Sequence, residues 1–155
     1  MTLRRHAAAL LVLLAACAPD FIPGTEAPDT ADNRAIYEVI RSYVAAMQRR
    51  DAPAVLALVA PDYFDTAGTP DPTDDVDRAT LERTLPADLA RVAAVKLELA
   101  VKKIEVQGAQ AKAEVFYDLY YRVNTPAGGV PKRPSDVHQM TFEKLASGWK
   151  ISSGL

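Results

Sequence analysis

The sequence has little of what disulfide, zinc and nucleic-acid proteins need. It holds one cysteine in 155 residues, which leaves no partner for an intrachain disulfide and no cysteine-rich zinc cluster. Its 18 Lys and Arg residues are outnumbered by 20 Asp and Glu residues, and the net charge of −2 argues against a nucleic-acid partner. It also has no phosphate-binding glycine loop and no serine-hydrolase elbow. What remains fits one globular domain, because 155 residues without internal repeats can bury a single core.

The N-terminal residues have the pattern of a bacterial lipoprotein signal. Arg4 and Arg5 precede an apolar run over residues 7–16, which is too short to span a bilayer. The run ends in a Leu-Ala-Ala-Cys sequence that resembles a lipobox and finishes at Cys17. The resemblance implies that residues 1–16 are cleaved and that Cys17 carries the lipid that anchors the chain to a cell-envelope membrane. The alternative is a cleaved secretory signal with a chance cysteine.

Three further expectations follow from the lipobox. Loss of Arg4 and Arg5 with no acidic residue takes the net charge from −2 to −4. Ala18 stands where inner-membrane lipoproteins often carry Asp, so the outer membrane is expected over the inner one. Residues 17–31 are then the lipidated cysteine and a flexible, Pro- and Gly-containing tether, and residues 32–155 are the domain.

Three helices are predicted in the first half of the domain. The first runs from a cap at Thr30 or Asp32 to about Arg50, because its apolar residues recur with helical spacing. The second is short and follows a cap at Asp51. The third covers residues 78–95 and is expected to be interrupted at Pro86.

The second half of the domain alternates apolar and polar residues, which predicts four β-strands, two of them unusually long. The alternation changes phase at residues 102–103, and such a slip indicates a β-bulge that bends the sheet. Residues 125–131 contain Gly and Pro and are predicted to be an exposed loop. The last strand contains Trp149, whose ring is expected to hold this short strand in place.

This order of elements resembles the nuclear transport factor 2-like superfamily over residues 32–155. Residues 50–58 look like the link between its first two helices, and residues 61–65 followed by Gly68 are similar to the segment that closes its second helix. Residues 148–151, Gly-Trp-Lys-Ile, resemble the last strand of snoal-like members. The resemblance implies an α+β, cone-shaped domain with three helices packed on a bent antiparallel sheet. It implies no single function, because a fold does not determine one.

The ketosteroid isomerase branch of the superfamily suggests which residues could be catalytic. By that resemblance Asp65 occupies about the place of a carboxylate base, and Tyr43 on the first helix could hold an oxyanion. His138 shares a strand face with Met140 and could be a second acid or base. Each has a structural alternative: Asp65 as a turn or cap residue, Tyr43 as a core residue and His138 as a hydrogen-bonded sheet residue. Asp118 is expected to pair with a Lys or Arg across the sheet.

Because the complete catalytic set of that branch is not reproduced, the preferred interpretation is a non-catalytic envelope module. It would bind a small apolar ligand or a protein partner, with no cofactor and no metal, and its sheet could form a homodimer. The acidic residues of the loop before the third helix lack calcium-loop spacing, so they are expected to be solvated, with one of them capping that helix. The alternative is an acid–base enzyme that acts on an apolar carbonyl compound through Asp65, Tyr43 and His138.

Overall fold

The computed structural model describes residues 20–126 and 128–155, so the predicted signal peptide and Cys17 lie outside the described residues. Three helices cover the first half of the domain: α1 (Ala31–Arg49), α2 (Ala52–Leu58) and α3 (Arg78–Arg91). Two short strands, β1 (Phe64–Asp65) and β2 (Val76–Asp77), pair before α3. Five strands follow: β3 (Val92–Gln107), β4 (Gln110–Thr125), β5 (Gly128–Lys132), β6 (Ser135–Leu145) and β7 (Gly148–Ser153).

The main sheet is antiparallel and bends where the sequence predicts. Its strand order is β3-β4-β6-β7, with β5 paired to the far end of β4. The register of β3 against β4 shifts between Val101 and Lys103, so the bulge predicted at residues 102–103 is confirmed. The helices pack on the concave side, and the result is the predicted α+β, cone-shaped domain with three helices on a bent antiparallel sheet.

Side-chain caps fix where the helices begin. The Thr30 hydroxyl accepts a hydrogen bond from the Asn33 N–H at 3.1 Å, and Asp77 accepts one from the Thr80 N–H at 2.7 Å. The buried residues of α1 and the concave face of the sheet meet in one core around Ile36, which is fully buried. Within the described ranges, 20–126 and 128–155, no helix combines the length and apolar character needed to cross a membrane.

The expectation of a flexible tether is wrong for residues 20–29. Phe21 and Pro28 form an isolated bridge, and the side chains of Ile22 and Ala27 between them are buried in the core. The N–H of Glu26 donates to the carbonyl of Lys102 on β3. Pro and Gly prevent a helix or long strand here, but two apolar side chains suffice to pack a tight loop against the domain.

The expectation of an exposed loop over residues 125–131 is also wrong in part, because β5 occupies Gly128–Lys132. Pro131, which has no N–H to donate, lies on a strand at the edge of the sheet. A Cβ at Gly129 would lie 2.5 Å from Cδ of Arg122, so a larger residue there would require the exposed Arg122 side chain to move. The sheet region therefore contains five strands where four were predicted.

The predicted interruption at Pro86 is wrong, and α3 runs through it and ends at Arg91. Proline removes the hydrogen bond to the carbonyl of Glu82, and both residues are exposed, so water can satisfy that carbonyl. The helix stops before residue 95 because β3 begins at Val92 and pairs with β4.

Candidate functional site

A cavity of about 230 Å³ lies between α1 and the concave face of the sheet. None of its twelve lining residues is Asp, Glu, Lys or Arg, and most are apolar. They are Tyr43, Met47, Leu97, Leu99, Val115, Tyr117, Leu119, Pro134, His138, Met140, Gly154 and Leu155. The bend of β3 and β4 creates the space, and the apolar stripe of α1 closes it from the other side. The site can therefore hold an apolar molecule and offers it a few hydrogen-bonding groups.

Two of the three predicted site residues, Tyr43 and His138, line this cavity. Tyr43 comes from α1 and is half-buried, and His138 comes from β6 next to the buried Met140. The His138 ring meets the ring of Tyr117 edge to face, with centroids 6.4 Å apart. Burial raises the pKa of Tyr43 to about 12, so its hydroxyl keeps its proton at neutral pH and can donate a hydrogen bond.

The third residue, Asp65, does not line the cavity, and its carboxylate holds neighbouring groups. Oδ2 accepts hydrogen bonds from the Tyr63 hydroxyl at 3.1 Å, the Gly154 N–H at 2.8 Å and the Leu155 N–H at 3.3 Å. Oδ1 accepts one from the Ala67 N–H at 2.9 Å. Asp65 thus ties β1 to the segment that follows β7.

The hydrogen bonds to Asp65 determine its charge state. Partial burial alone would raise the pKa of Asp65, but the donors from Gly154, Ala67, Tyr63 and Leu155 outweigh it and hold the pKa below its usual range. The pKa of the Tyr63 hydroxyl is raised, chiefly by burial and also by the adjacent Asp65 charge. A carboxylate with a lowered pKa and four donors is a poor proton acceptor at neutral pH.

The other candidates have structural partners. Asp118 pairs with Arg133 through hydrogen bonds of 3.1 and 2.7 Å. The partner is basic, as expected, but it lies in the connection between β5 and β6 and not on a strand across the sheet. Asp77 caps α3, as one acid of the preceding loop was expected to do. In the described part of the chain, no three His, Cys, Asp or Glu side chains come together as a metal site would require.

A second, larger depression of about 520 Å³ lies on the other side of α1, against β3. Leu97 and Leu99 line both spaces, but Arg41, Arg49 and Glu98 also line the larger one. It is an open groove at the edge of the sheet, so it can enclose much less of a ligand than the inner cavity.

Sequence reasoning missed the wall of the cavity formed by Gly154 and Leu155. No strand or helix pattern covers these two residues, and their contact with Asp65 spans 89 and 90 positions of sequence. The one available signal was Gly154 itself, because a glycine after a strand often marks a close approach of two backbones.

Solved structures with a similar fold are known. No protein-family model matches the sequence, and no curated protein does. A candidate dehydratase of the NTF2-like family from Streptomyces avermitilis has a similar structure, with a TM-score of 0.66, 17% identity, and coverage of 79% of this chain and 93% of the other. A ketosteroid isomerase-like protein from Erwinia carotovora atroseptica matches with a TM-score of 0.64 and 19% identity, over 81% of this chain and 94% of the other.

A candidate aromatic ring hydroxylase from Novosphingobium aromaticivorans is also similar, with a TM-score of 0.65 and 15% identity, over 79% of this chain and 85% of the other. The names of these three proteins refer to different activities. Sequence identities this low show that the fold is shared and nothing about activity. Together with the geometry described above, they establish that residues beyond the N-terminal segment form a nuclear transport factor 2-like fold.

Proposed function

We propose that this chain is a non-catalytic binding module that holds a small apolar ligand in the cavity between α1 and the sheet. The volume supports a compound of one or two rings. A dry cavity of about 150 Å³ takes up benzene, and sites for drug-sized ligands begin at about 300 Å³. The 230 Å³ cavity lies between these values. The hydroxyls of Tyr43 and Tyr117 and the ring of His138 give such a ligand its polar contacts.

The proposal that the module is non-catalytic depends on one observation, which is that the Asp65 carboxylate is already hydrogen-bonded within the protein. A general base must reach the proton that it removes. The Asp65 carboxylate instead accepts four hydrogen bonds from the protein, two of them from the backbone of Gly154 and Leu155. The residue that the resemblance implies as the base is therefore used to hold the cavity wall.

A second candidate function, an acid–base enzyme acting on an apolar carbonyl compound, is favoured by one observation. Tyr43 and His138 line the same cavity, so a hydroxyl donor and an imidazole could face one substrate. In such an enzyme His138, and not Asp65, would be the general base. Loss of turnover in His138→Ala, with ligand affinity retained, would identify the enzyme.

We also propose that the module is anchored to the cell envelope by lipid on Cys17 and that its sheet forms a homodimer. Cys17 ends the Leu-Ala-Ala-Cys sequence after the apolar run. Phe116 and Val137 are paired across β4 and β6 on the face turned away from the helices, where they are 38% and 56% exposed. A second copy of the chain would cover the apolar patch formed by Phe116 and Val137. Charged residues of both signs surround this patch, including Glu98 and Lys103.

The binding proposal is tested with a thermal-shift screen of the purified protein against phenols, ketones and hydrocarbons of one and two rings. A ligand that binds only the folded state at about one hundred times its Kd stabilises it by about 2.7 kcal/mol. That corresponds to a rise of several degrees in Tm, about 2–4 °C per kcal/mol at this chain length. A series in which ring number has no effect on Tm would count against the cavity as the site.

A further inference from the structure

One wall of the cavity is held in a different way from the others. Nine of its twelve lining residues belong to α1, β3, β4 or β6, where backbone hydrogen bonds fix their positions. Pro134 lies between β5 and β6, and its carbonyl accepts a hydrogen bond from the Leu119 N–H at 3.0 Å. The remaining two, Gly154 and Leu155, follow the end of β7, and we call them the strap.

The two backbone hydrogen bonds that the strap makes to Asp65 go to a single carboxylate oxygen. Oδ2 of Asp65 accepts the N–H groups of both Gly154 and Leu155, at 2.8 and 3.3 Å. Asp65 is itself oriented by the Tyr63 hydroxyl and the Ala67 N–H, so the acceptor is already in position without the strap. Because both of these hydrogen bonds share one acceptor, loss of that acceptor breaks both at once.

Gly154 brings the strap directly against β6. Its φ is +89°, and a Cβ at this position would lie 2.4 Å from the carbonyl oxygen of Gln139 and 2.9 Å from Cα of Met140. Both of those neighbours are backbone atoms, so they cannot rotate away as a side chain could. Glycine is required for the closed position, and any larger residue must push the strap off β6.

We propose that the strap is a movable wall of the cavity and that Asp65 is the positioning residue that holds it closed. The inference rests on the proposed function, since it describes how a small apolar ligand reaches the cavity. Opening the strap breaks two hydrogen bonds and exposes the buried Gly154 and the half-buried Leu155, which packs against the core. It leaves every strand pair intact, so it requires less free energy than separating strands. Pro134 and His138, which are exposed, leave one side of the cavity open to solvent. The open strap adds a second route for ligand association and release, and Asp65 controls how often that route opens.

The first test measures the strap with no ligand present, by amide hydrogen exchange of Gly154 and Leu155 in the full chain. Asp65→Asn removes the negative charge of the acceptor and sets an NH₂ group against at least one of the four donors, and Gly154→Ala displaces the strap independently. Both variants should exchange these amides about tenfold faster or more, because hydrogen bonds to a charged acceptor are among the stronger ones. Exchange at Ala113 and Val115, inside β4, should stay at the parent's rate.

The matched control is Asp71→Asn. Asp71 also accepts a backbone hydrogen bond, from the Thr73 N–H at 2.9 Å, but it lies in the loop before α3 and does not line the cavity. This variant should leave the exchange of Gly154 and Leu155 unchanged. If Asp65→Asn also leaves it unchanged, Asp65 does not hold the strap and the inference fails.

The second test follows binding of 2-naphthol by stopped-flow fluorescence. Asp65→Asn and Gly154→Ala should raise both the association and the dissociation rate, by up to about the factor seen in amide exchange. Faster exchange with unchanged binding rates would show that the strap is loose but is not a route of the ligand, which overturns the inference. Failure of the proposed function is recognised separately, because filling the cavity with Leu119→Trp would then leave 2-naphthol affinity unchanged.

Discussion

The indole N–H of Trp149 donates a hydrogen bond of 3.0 Å to Oδ1 of Asp32, across 117 positions of sequence. The Lys144 ammonium binds the same oxygen at 2.6 Å and lies 5.6 Å from the centre of the Trp149 ring. Trp149 is 4% exposed and packs in the core beside Ile151. The last strand is therefore fastened both to the core and to the first turn of α1.

Trp149→Ala should destabilise the domain strongly, because it removes a buried ring and this hydrogen bond together. Truncation of a buried aromatic to alanine typically costs about 3–5 kcal/mol. At about 2–4 °C per kcal/mol, thermal denaturation should show a Tm lower by roughly 10 °C. Trp149→Phe keeps most of the burial and loses only the N–H donor, so its Tm should fall less. An alanine variant that melts within about two degrees of the parent would contradict the account of this strand.

The stability of the domain should depend on pH through Asp65. Its pKa is lowered in the folded state, so the ionised form favours folding. The contribution is complete above the unfolded pKa of about 3.9 and is lost as the pH falls through the lower folded value. Urea denaturation between pH 7 and 2 should show a smaller acid-induced loss of stability in Asp65→Asn than in the parent. Equal losses in both proteins would mean that the four donors do not stabilise the carboxylate.

Structural features that depend on residues close together in the sequence could be predicted from it. The bulge in β3 could be located because alternation of apolar residues is local, and the register shift at Val101 and Lys103 lies where the phase changes. The same alternation places His138 with Met140 on the face toward the cavity. Both features depend on neighbours in sequence.

The features that were missed depend on distant contacts. The strand β5 lies in a Gly- and Pro-containing segment and exists because β4 extends far enough to pair with it. The burial of Ile22 requires the finished core, and the hydrogen bonds of Asp65 require a segment 89 positions away. A motif can therefore place Asp65 near the site, but only the tertiary structure reveals that its carboxylate is already occupied.

Replacing Phe116 by Glu should dissociate the proposed homodimer. The side chain is exposed on the outer face of the sheet, so the change should leave the monomer's Tm nearly unaltered. Sedimentation velocity should show a dimer for the parent and a monomer for the variant. Lys112→Glu, on the same face of β4 and further from Val137, is the charge control and should remain dimeric. A parent that sediments as a monomer at high concentration would contradict the proposed dimer.

Replacing Cys17 by Ser should release the protein from the membrane. Serine cannot accept the lipid through a thioether, so the chain should appear in the soluble envelope or extracellular fraction. Fractionation of cells expressing the parent and the variant measures this directly. Metabolic labelling with a radioactive fatty acid should mark the parent alone. Membrane association that persists in Cys17→Ser would mean that another part of the chain holds it there.

The most direct test of the central claim is the affinity for 2-naphthol when the cavity is filled. Leu119 is half-buried on β4 and lines the cavity, and Val123 is half-buried on the same face of β4 but does not line it. Isothermal titration should show binding by the parent and by Val123→Trp, and a loss of about tenfold or more in Leu119→Trp, since the new ring occupies the ligand's space. Overpacking costs about 1–3 kcal/mol, so Tm values confirm that both variants remain folded. Equal affinity in Leu119→Trp and the parent would contradict the claim that this cavity is the binding site.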